Sequence, residues 1–228
     1  MPSEPPTMLP ADTAGPALAA AVEGADSWVE AIGQAAERIR ALAARAGTAS
    51  PRKAPSASEN WQLAVGRALE LLREERFADA LELVQALPPA SARDTEVLLL
   101  HAVLLVHNGR LADAENLCHR LLALDELNAG AHYVLALCRE GAADGHGAAE
   151  RDRFAAYLDP AFAMPRLHLG LLARRAGDRE AQRRELGQAL SLLQREDASR
   201  LLLFGGGFGR EALIALCRAE LRACGAAA

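Results

Sequence analysis

The chain has 228 residues, 51% of them hydrophobic, with a formal charge of −5 and a pI near 5.7. That is enough apolar material for a buried core, and the basic residues are scattered among acidic ones, which excludes the basic stripe of a nucleic-acid or anionic-membrane binder. No apolar run approaches the roughly 18–20 residues that cross a bilayer, and MPSEPPTMLPADTAG lacks the basic start and apolar centre of a signal peptide; the expectation is a cytoplasmic chain without membrane insertion.

In chain order, residues 1–60 hold seven of the eleven prolines together with Ala, Ser and Thr, the composition of a linker. One segment inside it is different. Across ADSWVEAIGQAAERIRALAARA, Trp28, Ile32, Ala35, Ile39 and Leu42 recur at three- and four-residue steps, with Asp26 or Ser27 to cap and Gly47 to stop, so an amphipathic helix is predicted over 25–46.

From Trp61 onward a period of 34 governs the sequence. Ala68, Ala102, Ala136 and Gly170 lie 34 apart, and Ala80, Ala114 and Ala148 follow twelve residues later, broken at Gln182. Small residues recur where two helices cross closely, because a larger side chain forces the backbones apart. Between the two small positions Gly109 and Gly177 stand where a helix stops in the left-handed conformation. Each unit reads as helix, turn, helix, in four copies at 61–94, 95–128, 129–162 and 163–196. No single pair buries its own apolar face, so the predicted fold is all-α, a stacked solenoid. The turn EGAADGHGAAERD (140–152) is expected to be the weakest, with a short or loose helix after it, because Asp152 stands where a large apolar side chain belongs.

Cys118, Cys138, Cys217 and Cys224 sit within helical patterns, with neither a CxxC pair nor a Cys/His spacing that suits zinc. Reduced core thiols are expected, and no metal or other cofactor.

The stretch LLLFGGGFGREAL (201–213) has Gly205, Gly207 and Gly209 after an apolar run, a pattern shared with the loops of S-adenosylmethionine sites. Such a loop works inside a βαβ unit, where the next strand supplies an acidic residue for the ribose. The residues after Gly209 read as one amphipathic helix. The glycines are therefore expected to form a turn over 197–228 that returns the last helix as a cap on the solenoid, with Phe204 and Phe208 as packing anchors. No catalytic residues are expected, since no Ser/His/Asp arrangement, nucleophile elbow or paired carboxylates occur.

The 34-residue length, the small eighth and twentieth positions and the glycine near the fifteenth resemble the tetratricopeptide repeat. LHLGLLARRAGD (167–178) is the most typical segment, and Pro160 matches the repeat-ending proline. The aromatic usual at the fourth position is replaced by Ala64, Leu98, His132 and Arg166. Residues 157–228, with their ending RLLLFGGGFGREAL, resemble the C-terminal repeat region of bacterial chemoreceptor glutamate methyltransferases of the CheR class, those of Wsp-type pathways in particular. The resemblance implies a protein-interaction module for a methyltransferase whose catalytic domain is not in this chain, with a chemoreceptor or signalling-complex component, or an amphipathic helix, as partner. It also implies a groove lined by the first helix of each unit: Val65, Leu69 and Leu72; Leu99, Val103 and Val106; Tyr133 and Leu137; Met164, Leu167, Leu171 and Arg174. A general tetratricopeptide assembly adaptor, or an S-adenosylmethionine-binding enzyme, are the alternatives.

Overall fold

The computed structural model describes residues 57–226; the helix predicted at 25–46 lies outside them. Among the described residues there are ten α-helices and no strand. Four helix pairs follow one another: α1 Ala57–Arg73 with α2 Phe77–Gln85, α3 Thr95–His107 with α4 Leu111–Leu122, α5 Ala129–Gly141 with α6 Gly145–Leu158, and α7 Ala163–Arg175 with α8 Arg179–Leu193. A 3-10 turn, Pro89–Arg93, precedes α3, and α9 (Ala198–Phe204) and α10 (Arg210–Ala226) complete the element order.

The small residues do what their spacing predicts. Ala68, Ala102 and Ala136 are completely buried, as are Ala80, Ala114 and Ala148 on the paired helices. At Gly170 a Cβ atom would lie 2.6 Å from Leu186 Cγ, so nothing larger fits between α7 and α8. Helix starts repeat too: Asp94 accepts from the Glu96 and Val97 N–H groups, and 34 residues later Asn128 accepts from that of Ala131. Each cap satisfies backbone donors that a helix start otherwise leaves open.

The turn inside every unit uses one backbone conformation at one position. Glu75, Gly109, Ala143 and Gly177 have φ of 58°, 71°, 62° and 75° and are themselves 34 apart. Glycine meets the requirement in the second and fourth units; Glu75 and Ala143 carry the strain of a Cβ in the left-handed region. The turn at 140–152 nevertheless holds, correcting the expectation of a short or loose second helix. Asp144 accepts from Gly147 N–H, and α6 runs its full length with Ala148, Asp152, Ala155 and Ala156 buried.

α10 packs antiparallel on α8 and takes the place of the first helix of a fifth unit. Arg210 hydrogen-bonds the end of α8 through Leu193 O, Gln182 reaches Glu220 at 3.4 Å, and Cys224 Sγ approaches Arg179 O at 3.4 Å. Leu213, Ile214 and Cys217 are its buried face, which closes the apolar end of the stack. All four cysteines are buried free thiols. Burial pushes Cys118 up to about 12 and Cys138 and Cys217 up to about 11, so they are packing residues without thiolate character.

Replacing Ala143 by Gly relieves about 1–2 kcal/mol of left-handed strain and costs about 0.4–1 kcal/mol in unfolded-chain entropy. Chemical unfolding of Ala143→Gly should therefore show a gain of about 0.5–1 kcal/mol. The same change at the solvent-facing Gly187 position in reverse, Gly187→Ala inside α8, should also stabilise, by about 1 kcal/mol, because nothing lies within 4 Å of the added Cβ.

Candidate functional site

The twelve lining positions expected from the sequence, on α1, α3, α5 and α7, divide by burial. Leu72, Val103, Tyr133, Met164 and Leu167 are buried; Val65, Leu69, Leu99, Val106, Leu137 and Leu171 are half-buried and packed against the core. Arg174 is exposed and paired with Glu220 of the capping helix.

The chain itself covers part of α1 and α3. The segment between α8 and α10 leaves the stack and carries α9 across to touch α1 and α3. Asp197 starts α9 by accepting from Ser199 N–H. Leu201 and Phe204 are its buried face. The Phe204 ring stands edge-on to Tyr133 with centroids 5.7 Å apart and lies 4.9 Å from Phe162. Its tip fills the space that a side chain at Gly130 would need: a Cβ there would be 2.9 Å from Phe204 Cζ and 2.9 Å from Leu99 Cδ2.

Charge fixes the other end of the segment. Arg200 lies 4.9 Å over the Phe162 ring, pairs with Asp159 and reaches Glu196 at 3.1 Å. Glu196 in turn accepts from Ala163 N–H at 2.7 Å, serving the start of α7. Burial raises the Glu196 carboxyl above its ordinary range, and the Ala163 amide and Arg200 work against that. A buried arginine with two carboxylates and an aromatic face is satisfied; remove the arginine and the buried Glu196 and half-buried Asp159 keep backbone donors but lose their cation.

The glycines end α9. Gly205 N–H donates to Leu201 O at 2.8 Å, a Cβ there would lie 2.4 Å from the same oxygen, and Phe208 N–H donates back to Gly205 O at 3.0 Å. Gly206 and Gly207 take φ of 65° and 84°, conformations only glycine adopts without strain. The run before them is helix, not strand, and the Gly205 and Phe208 amides are engaged within the turn. Phe204 is an anchor as expected; Phe208 is not, being 63% exposed. The correction has a simple cause: with Gly206 and Gly207 both left-handed, the chain turns outward before Phe208 can face the core.

A second cluster lies across α5, α6 and α7. Asp152 is fully buried, and His168 Nδ1 approaches its Oδ2 at 2.7 Å; His168 Nε2 meets Glu140 at 2.9 Å, and Arg175 pairs with Glu140 from outside. The His168–Asp152 approach is close but poorly aligned for a hydrogen bond, and neither Asp152 oxygen has another donor, so Asp152 depends on the charge of His168. Burial alone would lower His168, but Asp152 and Glu140 outweigh it and lift the imidazole to about 9. Burial lifts Asp152 to about 6 despite His168, while the hydrogen bond from His168, with Arg175, holds Glu140 down near 2. Tyr133 joins the two clusters, its ring touching Phe204 and Phe162 on one side and 6.2 Å from His168 on the other. Gly130, Arg200 and the His168–Asp152 pair were not singled out as site residues from sequence. The available signal was polar side chains at apolar repeat positions, which marks Asp152 and His168 but says nothing of their meeting.

Among the described residues no group of three or more His, Cys, Asp or Glu is arranged to hold a metal ion. No helix among them is long and apolar enough to cross a membrane.

No protein-family model matches the chain, and no curated protein matches it. Solved structures do. The type III secretion translocator chaperone SycD of Yersinia enterocolitica, in its alternative dimer, superposes with a TM-score of 0.50 at 17% identity, over 58% of this chain and 92% of that one. PcrH from Pseudomonas aeruginosa gives 0.48 at 22% identity over 57% and 90%, and MamA 0.46 at 18% over 71% and 90%. The likeness to SycD is one of fold, and with the 34-residue helix pairs it makes this a tetratricopeptide-type helical domain.

The ionic cluster gives a mutational asymmetry and a pH dependence. His168→Ala leaves Asp152 buried without a counter-charge and should cost about 3–5 kcal/mol, whereas Asp152→Leu leaves His168 its bond to Glu140 and should cost less than about 1.5 kcal/mol. Because the folded-state value of His168 is raised, its contribution is complete below about pH 6.5 and is lost as pH rises through about 9. Urea unfolding should show stability falling from pH 7 upward, and the part of the fall below about pH 8.5, where the buried cysteines do not yet contribute, should be abolished in a double Asp152→Leu, His168→Leu variant.

Proposed function

We propose that the chain is a protein-interaction module that places or regulates a chemoreceptor glutamate methyltransferase within a chemosensory signalling complex. The observation that carries the interaction reading is the row of half-buried apolar side chains along the first helices, Leu69, Leu99, Val106, Leu137 and Leu171, on a repeat scaffold. Half-buried leucines and valines in a row offer an amphipathic helix a continuous apolar strip. A free chain terminus needs an arginine or lysine clamp, and Arg174, the basic side chain of the lining set, is already paired with Glu220. The chemosensory reading is supported by the resemblance of residues 157–228 to the repeat region of CheR-class methyltransferases. The methyl transfer itself belongs in this reading to a partner or to a domain outside this sequence, and the chain binds no cofactor.

The test is co-purification from the source cells using the full chain, with Leu137→Glu and Leu171→Glu together as the comparison. Both positions are half-buried and packed against the core, so a lower melting temperature is expected, and circular dichroism should show the helical fold kept. Recovery of a methyltransferase or chemoreceptor with the parent chain and its loss with the variant are expected; recovery of neither with the parent chain ends the chemosensory reading. Equilibrium dialysis should detect no S-adenosylmethionine bound, and micromolar affinity would restore an enzymatic reading of the glycines.

A further inference from the structure

The excursion between α8 and α10 is larger than a link between helices needs. Residues 194–209 leave the end of α8 and return to the start of α10, and the two ends are held together by a single side chain. Arg210 donates to Leu193 O and to Glu196 O, so its guanidinium fastens the neck of the excursion. A compact segment whose ends are close and whose own side chains pack it down has the form of an Ω-loop, an element able to move as a unit.

Its contacts are of two kinds, and they are separable. The neck and α10 are held to α7 and α8 without α9: Leu213, Ile214 and Cys217 are buried, Glu220 pairs with Arg174 and reaches Gln182, and Cys224 reaches Arg179 O. The tip is held to the lining face by one apolar and one ionic contact set. Phe204 enters the space bounded by Tyr133, Phe162, Leu99 and Gly130, and Arg200, one helical turn earlier, meets Asp159 and the face of Phe162. Of the other apolar residues of the tip, Leu201 is buried beside Phe204, Leu202 and Leu203 are half-buried, and Phe208 is exposed. A glycine run with two left-handed residues follows, so the tip connects to α10 through backbone of low stiffness.

We propose that residues 197–209 are a replaceable self-ligand. The segment seats, within the chain, the place at which the domain receives a partner's amphipathic helix bearing an arginine and a phenylalanine four residues apart. This inference rests on the protein-interaction reading above and is independent of its chemosensory part. The partner's chemistry follows from what α9 leaves behind. Withdrawal of Phe204 opens an aromatic recess closed on one side by Gly130, where only a flat ring enters between Tyr133 and Leu99. Withdrawal of Arg200 leaves Asp159, whose side chain is mostly buried, without its cation, so an incoming helix lacking a guanidinium at that spacing pays for a stranded carboxylate. Phenylalanine alone is therefore insufficient, and so is arginine alone.

The probe is a labelled peptide with the sequence of Glu196–Gly206, EDASRLLLFGG, and the readout is fluorescence anisotropy. The full chain should bind it weakly, since its own α9 is seated. A full chain carrying Leu201→Ala and Phe204→Ala should bind it about tenfold more tightly or better, the factor by which a site open about one-tenth of the time lowers apparent affinity. Adding Gly130→Leu to that variant should abolish the gain, and a peptide with glutamate in place of its arginine should not bind. Equal affinity for parent and variant, no binding to either, or a gain that survives Gly130→Leu overturns the proposal. If the alanine variant fails to fold, hydrogen exchange on the parent chain decides. The amides of Leu201 to Gly205 should open well below the free energy needed for α8 and α10, and exchange only together with those helices overturns the proposal. Peptide exchange without retention of a receptor or methyltransferase sinks the chemosensory reading alone; retention without peptide exchange sinks the self-ligand alone.

Discussion

The architecture depends on close approach of paired helices. A side chain no larger than a methyl group at Ala68, Ala102 and Ala136, and none at Gly170, sets the distance between the helices of a unit, and the same residues set the 34-residue period. Everything else is a consequence of that spacing. With every unit built alike, each first helix meets its second helix in the same way, and the last unit is left with an open end that α10 covers.

Much of this was legible in the sequence, because small residues and a repeated period are local signals. Glycine at 109 and 177 announced the turn conformation; Glu75 and Ala143 adopt the same one without announcing it, since their φ is imposed by the crossing on either side. What escaped sequence reading depends on contacts distant along the chain. RLLLF before the glycines has no period of its own long enough to distinguish strand from helix, and its destination is set by Gly130 and Tyr133, some 70 residues earlier. Phe204 and Phe208 look equivalent in sequence, and only the left-handed pair Gly206 and Gly207 between them sends one inward and the other out.

The charges show why the third and fourth units are bound more specifically than the apolar pattern requires. Asp152 occupies a position where a leucine would do, and buried ion pairs seldom outperform apolar packing in stability. They do outperform it in discrimination. A leucine at 152 accepts many neighbours, whereas a buried carboxylate accepts only a junction that presents a cation, and His168 does so because Glu140, itself paired with Arg175, stabilises its charged form from the other side. The same reasoning applies at Arg200, where Asp159 and Glu196 admit α9 only in the register that brings a guanidinium between them.

Tyr133 stands between these two ionic clusters, so the state of the lining face and the junction of the third and fourth units are in direct contact. Its ring is packed by Phe204 and Phe162, and burial, together with the nearby Asp152 and Glu140 carboxylates, raises its hydroxyl above the ordinary value. Phe204 of α9 therefore presses on a ring that also borders His168. Coupling of this kind needs no long pathway: one side chain with two neighbours suffices, provided that the occupant changes how tightly the ring is held. The seat of α9 is chosen by two contacts, the recess at Gly130 and the carboxylate at Asp159, where a misplaced segment leaves either a void or an unpaired charge.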